Sequence, residues 1–505
     1  MHMNKISPER PPAARPPGRR PRRRCLAALS LAACLAAAYP AAAAADSTSA
    51  SASTGTAQVN CSPPGVKAPP CYSPQAYQMA YGVAPLLGHG INGTGETVVF
   101  PELAATAPST DIRQDLAAFD TTFGLPPAHL NVVNTIAGSA APYLSGNEEI
   151  GDTEMVHAIA PGASLDVVLM PQDATTSPAN FATAITQVIQ EGVALHVAVV
   201  SISLSVGEHF LTSDEAARMN QALGQARDQH VTVVASSGDT GAISSHPAGP
   251  PVQVSMPASD PLVLGVGGTV LDASPAGAYL GEMAWNDNTE ASGGGYSSLF
   301  PRPSYQDDLA RARATRGVPD VAANADPATA MAMEFGDGEL RPNQGTSASA
   351  PLWAGVIALA DQQAGHPLGF VNPALYAIAR GPGYHQAFHD VATGDNSVLW
   401  PTGVFTGYTA GPGWDPVTGW GSPDAQYLVP LLAHAARSGA LRGYRFATPG
   451  AVFYEKGLLR QKSGVLCRYR RRSPHHAAGC APPPRGWAST ASGPGRRSGP
   501  ALLAG

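Results

Sequence analysis

Residues 344–355 read Gln-Gly-Thr-Ser-Ala-Ser-Ala-Pro-Leu-Trp-Ala-Gly and run into the apolar stretch Val356-Ile357-Ala358-Leu359-Ala360. A tight Gly-Thr turn opening onto a helix too hydrophobic for a surface sets Ser347 where backbone N–H groups and the positive helix end favour a developing anion. Ser347 is therefore a candidate nucleophile. Such a hydroxyl needs a base, and the chain offers carboxylates. Glu148 and Asp152 stand four apart in a segment whose Met155, Val156 and Ile159 follow helical spacing and which ends at Pro161-Gly162. Both side chains then fall on one helix face, close enough to share a proton. Asp239 closes a third motif, Ser236-Ser237-Gly238-Asp239, after the run Val231-Thr232-Val233-Val234. Open α/β sheets bind their ligands at such strand ends. Each feature also has a plain structural reading: Thr346, Ser347 and Ser349 as helix caps, the acidic pair as a favourable first turn, and Asp239 as a turn residue.

The elements that must hold these groups alternate along the chain. Short apolar runs at 165–170, 197–203, 231–236 and 262–266 suit strands buried on both faces, and helical patterns lie between them at 178–191 and 213–226. This predicts an α/β fold with a mostly parallel central sheet. Residues 72–436 suffice for one large core, and no internal repeat is present.

Together these motifs resemble the sedolisin family, the serine-carboxyl peptidases. The resemblance covers residues 72–432. It also rests on Val263-Leu264-Gly265-Val266-Gly267-Gly268-Thr269, Ser292-Gly293-Gly294-Gly295-Tyr296-Ser297, Phe300-Pro301-Arg302-Pro303 and Arg316-Gly317-Val318-Pro319-Asp320-Val321. It implies a subtilisin-like three-layer sandwich and a peptide or protein substrate, cleaved internally or as tripeptides. Carried over by motif, the nucleophile is Ser347, the general base Glu148, its acidic partner Asp152, and the oxyanion-stabilising carboxyl Asp239. A carboxylate base, a carboxyl pair sharing a proton and a protonated Asp239 all call for acid conditions. The resemblance further implies one structural calcium ion, held by Asp390 and Asp415 with the main-chain carbonyls of Val391, Gly411 and Gly413; hard oxygen donors of this kind suit calcium.

Two departures from the family pattern stand out. Its members commonly carry tryptophan after Ser-Ile-Ser, where this chain has Ser201-Ile202-Ser203-Leu204, so Glu102 in Pro101-Glu102-Leu103 loses an expected hydrogen-bond donor. Family precursors also usually carry a long folded prodomain, and only residues 46–71 separate the expected signal from the core. Weaker activity, or a non-catalytic binding protein that keeps the fold, are the readings these departures favour. An ordinary subtilisin-type protease is a third reading. It needs a catalytic histidine near the start of the 148–160 segment, and the histidine there, His157, falls on a different face from Asp152.

Charge fits acid action independently. The formal net charge is −6, but residues 1–45 hold 8 Lys/Arg and 1 Asp/Glu and residues 437–505 hold 13 and 1, leaving 10 basic and 35 acidic residues for 46–436. Near pH 3–4, roughly the carboxyl range, most of that negative charge disappears. The basic, then apolar, Ala-rich start of the chain reads as a secretory signal over 1–45. Leu31-Ala32-Ala33-Cys34 also suggests lipoprotein anchoring, against which the apolar continuation argues. Residues 46–71 read as a Ser/Thr/Ala/Pro-rich linker, and 437–505 as a basic, disordered low-complexity tail. Cys61 and Cys71 are placed for a short disulfide in an oxidising compartment. Nothing resembles a nucleic-acid recognition module or a membrane anchor beyond export, and a monomer is expected.

Overall fold

The computed structural model describes residues 58–61, 70–103, 111–136, 147–243, 252–335, 338–400, 403–437, 452–455 and 458–461. The expected signal, most of the linker and most of the tail lie outside the described residues, as do Cys25, Cys34, Cys467 and Cys480. Cys61 and Cys71 form a disulfide.

Eight strands build the main sheet: β1 (Thr97–Glu102), β2 (His129–Val133), β3 (Ser164–Leu169), β4 (Val199–Ile202), β5 (Thr232–Ser236), β6 (Leu264–Ala273), β7 (Tyr279–Ala284) and β8 (Val321–Asn324). Their order is β7-β6-β5-β4-β1-β3-β2, with β8 also paired to β6. All pairings are parallel except β6 with β7. Alternation along the strands sends side chains to two separate cores. Val98, Phe100, Leu165, Val167 and Val266 face helices α1 (Asn147–Ile159), α4 (Thr346–Ala364) and α5 (Ala425–Arg437). Val99, Val168, Val200 and Val233 face α2 (Pro178–Ala194) and α3 (Ser213–Asp228). The result is a three-layer α/β sandwich, the subtilisin-like architecture expected.

Helix α4 is the axis of the first core, and every residue from Ala348 to Asp361 is buried. The indole of Trp353 donates to the Ala322 carbonyl on β8 at 2.8 Å, and emptying a site of this size costs about 3–5 kcal/mol. Pro351 lies inside this helix. Having no N–H, it leaves the Ser347 carbonyl without its helical donor.

The Arg316-to-Val321 block proves structural. Arg316 and Asp320 are both fully buried and paired through two bonds of 2.8 and 2.6 Å, and Asp320 also accepts from Gly265, Tyr376 and Asn372. A buried ion pair needs such extra donors to offset desolvation.

Two expectations change. The run at 262–266 belongs to a strand extending to Ala273, because Gly267 and Gly268 interrupt the apolar pattern without interrupting the pairing. Within the tail, Val452–Glu455 pairs with Leu458–Gln461 as a hairpin; the β-branched and aromatic residues there suit strands, which corrects the expected lack of structure for those residues.

Candidate active site

The parallel sheet gathers the candidate residues at one end. Glu102 is the last residue of β1, Ser203 follows β4, Asp239 follows β5, Glu148 and Asp152 lie in the first half of α1, and Ser347 is in the first turn of α4. Each position is the carboxyl end of a parallel strand or the start of a helix, where ligands of open α/β sheets bind.

The capping alternative fails at α4. Its N-cap is Gly345, with no side-chain cap bond. The Thr346 hydroxyl instead donates to Asp239 Oδ1 at 2.6 Å, and Ser349 donates to the carbonyls of Ala323 and Asn324. Ser347 is partly exposed. Its hydroxyl proton has two acceptors, the Ser203 carbonyl at 3.1 Å and the Glu148 carboxyl, with which it also forms a side-chain hydrogen bond.

Behind Ser347 lies a group of acids. Glu102 and Asp152 are buried and Glu148 half-buried. Glu102 Oε1, Glu148 Oε1 and Asp152 Oδ2 receive no N–H or hydroxyl donor among the described residues. Glu102 and Asp152 are hydrogen-bonded to each other, which requires one of them to carry a proton. Burial, then neighbouring carboxylates, push Glu102 well above the carboxylate range. Burial does the same for Asp152, against the lowering pull of the Ser203 and Glu102 bonds. Glu148 is pushed to about 7, first by burial, with Ser347 lowering it and Asp239 and Glu149 raising it. This group therefore holds protons that isolated carboxylates would have lost. Leu204, where a tryptophan was expected, packs against the apolar core of α2 and α3 and offers no donor to Glu102.

Asp239 stands apart from these acids, against the start of α4. Its Oδ1 accepts both the N–H of Thr346 at 2.8 Å and its hydroxyl, across 107 residues of sequence. A plain turn residue would bond its own backbone. Burial raises its carboxyl and the Thr346 bonds lower it. The Ser292-to-Ser297 glycine block holds this turn: Gly293 N–H donates to the Gly238 carbonyl at 2.7 Å and Ala291 N–H to that of Asp239 at 2.8 Å. A Cβ on Gly293 would run into the Ser237 carbonyl.

His157 does not join the site. It is fully buried on another face of α1, 2.9 Å from both the Asp120 carboxylate and the Pro126 carbonyl. The sequence reading missed Gly345, Thr346 and Ser203 as site-building residues. In the sequence Thr346 offers only the alternative of a helix cap, and the Ser-Ile-Ser motif marks position 204 rather than Ser203.

The expected calcium ligands come from two segments, 390–391 and 411–415, which meet through the Gly413 N–H to Asp390 bond. Asp415 is buried and accepts the N–H groups of Gly411, Val417 and Thr418, while Asp390 accepts that of Gly413. Burial raises Asp415 to about 6, with these bonds and Arg311 lowering it. Among the described residues no cluster of three or more His, Cys, Asp or Glu could hold a metal. The carbonyls of Gly411 and Gly413 accept no hydrogen bond there, while that of Val391 accepts the Thr418 hydroxyl at 3.1 Å, so two carboxylates with two free main-chain oxygens form a donor set that fits a hard cation.

The Subtilase family model matches residues 132–373. Kumamolisin of Bacillus sp. (strain MN-32) is 35% identical over 382 residues, 73% of this chain and 65% of its own length. Sedolisin of Pseudomonas sp. (strain 101) is 32% identical over 332 residues, 62% of this chain and 54% of its own length. Tripeptidyl-peptidase 1 of Bos taurus is 31% identical over 341 residues, 63% of this chain and 57% of its own length. The chain thus spans less than two thirds of each of these relatives. A solved structure of Pseudomonas sedolisin, a serine-carboxyl proteinase complexed with two molecules of pseudo-iodotyrostatin, is covered in full by 74% of this chain, with a TM-score of 0.60 and 26% identity.

Proposed function

The chain belongs to the sedolisin family, with its subtilisin-like fold, and we propose that it is a secreted, acid-acting serine-carboxyl peptidase. The observation that carries this reading is the convergence at the start of α4, where Ser347 bonds Glu148 and Asp239 bonds Thr346. In the reaction, Ser347 Oγ attacks the peptide carbonyl while Glu148 takes its proton and returns it to the leaving amine. Water then cleaves the acyl-serine with Glu148 again as base and acid. Asp152 faces Glu148 and stabilises its protonated form. Asp239, protonated, donates to the oxyanion.

The sign of the pH dependence follows. Asp239 acts only with its proton on, and burial favours that form while the Thr346 bonds oppose it. The carboxyl group around Glu148 must have lost at least one proton, so activity rises as the first proton leaves and falls as Asp239 ionises. The Cys61–Cys71 disulfide supports export to an oxidising compartment. A calcium ion on Asp390, Asp415 and the carbonyls of Val391, Gly411 and Gly413 would tie loops together without entering the reaction.

The test is a peptide-library digest between pH 2 and 8, with fragment lengths separating internal cleavage from tripeptide release. Cleavage in acid that disappears in Ser347→Ala and Glu148→Gln supports the reading. An optimum above pH 7, or unchanged turnover in Glu148→Gln, overturns it.

A further inference from the structure

Ser203 is 8% exposed and bonds to the site in three ways. Its hydroxyl lies 2.7 Å from Asp152 Oδ1 and 3.1 Å from the Ser347 carbonyl, and its own carbonyl accepts the Ser347 hydroxyl at 3.1 Å. We propose that Ser203 is a positioning residue, whose hydroxyl sets the charge of Asp152 and the seat of Ser347 in the proposed peptidase reaction. The inference rests on that reading of the function.

The hydroxyl has one proton and two acceptors. The shorter contact to Asp152 is the stronger when Asp152 is ionised, because charge-assisted bonds are shorter and roughly twice as strong. When Asp152 takes up a proton, the hydroxyl can turn to the Ser347 carbonyl. That carbonyl is free to receive it because Pro351, four residues on, has no N–H. In both states Ser203 keeps its own proton and serves one of the two acceptors. The other side chains acting on Asp152 are acids: Glu102 on β1, which also bonds it, and Glu148 and Glu149 on α1. Alongside the Glu102 bond, the Ser203 hydroxyl is therefore a neutral donor that favours the Asp152 anion beside Glu148, and this anion makes Glu148 the stronger base.

The experiment measures kcat and KM for a cleaved peptide from pH 2 to 8, with melting temperatures, in wild type, Ser347→Ala, Ser203→Ala and Ser203→Thr. Ser203→Ala is expected to lower kcat about 10- to 100-fold with little change in KM, and to move the acid limb of kcat up by about one pH unit, the effect of losing one hydrogen bond to a charged group. Ser203→Thr keeps the hydroxyl and restores both. An acid limb that stays in place in Ser203→Ala, or a loss that Ser203→Thr fails to recover, overturns the proposal. If Ser203→Ala does not fold, Ser203→Cys, nearly the same size and a weak donor, is read by the same criteria. Wild type that cleaves no peptide, or Ser347→Ala as active as wild type, means that the peptidase reading has failed and takes this proposal with it. Activity that needs Ser347 with no effect at Ser203 overturns the positioning role alone.

Discussion

Gly345 and Asp239 meet without room for a side chain: a Cβ on Gly345 would lie 2.7 Å from Asp239 Oδ2, and the glycine φ is +79°. Both facts exclude larger residues, the first by contact and the second because L side chains rarely adopt that backbone. Gly345→Ala should therefore displace the Asp239 carboxyl from Thr346 and strain the turn by about 1–3 kcal/mol. Turnover and melting temperature should both fall, with turnover falling further than the lost stability explains. A folded Gly345→Ala protein with wild-type turnover would show that the carboxyl can move without consequence.

The buried acids fix how stability depends on pH. Burial raises Asp260 to about 6 and Glu282 to about 7, and raises Glu154 and Asp361 well above the carboxylate range. A folded-state value above the unfolded one contributes stability that is fully present below the unfolded value, near 4, and lost as pH rises through the folded value. Melting temperature should be highest near pH 4 and decline through pH 6–7. Asp361, whose Oδ2 has no donor among the described residues, gives a specific check: Asp361→Asn should flatten the decline. A melting temperature that rises from pH 4 to 7.5 contradicts the account.

Much of this arrangement was legible in the sequence, and its limits have physical causes. Glu148 and Asp152 could be paired because helical periodicity alone brings positions four apart to one face. The contact of Asp239 with Thr346 joins residues 107 apart and that of Ser203 with Asp152 residues 51 apart; both depend on strand order, which periodicity does not encode. Strand β2 escaped because its half-exposed, mixed composition lacks the apolar run that marks a buried strand. The charge on each acid was equally hidden, since it is set by how many donors the fold brings to each oxygen.

Calcium should act on stability alone. Its proposed ligands lie in two short segments around Asp390 and Asp415, after α4 in the chain. Binding to the folded state stabilises by about 2.7 kcal/mol at a hundredfold excess over Kd. Chelation should lower the melting temperature, and Asp415→Ala, which also loses three N–H bonds, should melt no higher than the chelated wild type and should not respond to chelator. Identical melts of the wild type with and without chelator would remove the ion from the account.

Asp239 can be separated from a structural role by comparing two substitutions. Its Oδ1 accepts both the N–H and the hydroxyl of Thr346, which leaves Oδ2 and its proton for the oxyanion. Asp239→Ala removes the acceptor and the donor together. It should lower turnover on the order of 100- to 1,000-fold with little change in KM, the usual loss for one oxyanion donor, and should also lower the melting temperature because Thr346 loses its partner. Asp239→Asn keeps a carbonyl oxygen for Thr346 and presents an N–H₂ where the carboxyl proton was. It should melt near wild type and retain more turnover than Asp239→Ala. An amide does not ionise, so the alkaline limb assigned to Asp239 should move upward in this variant. If folded Asp239→Ala turns over at the wild-type rate, or Asp239→Asn leaves the alkaline limb in place, Asp239 does not donate to the oxyanion.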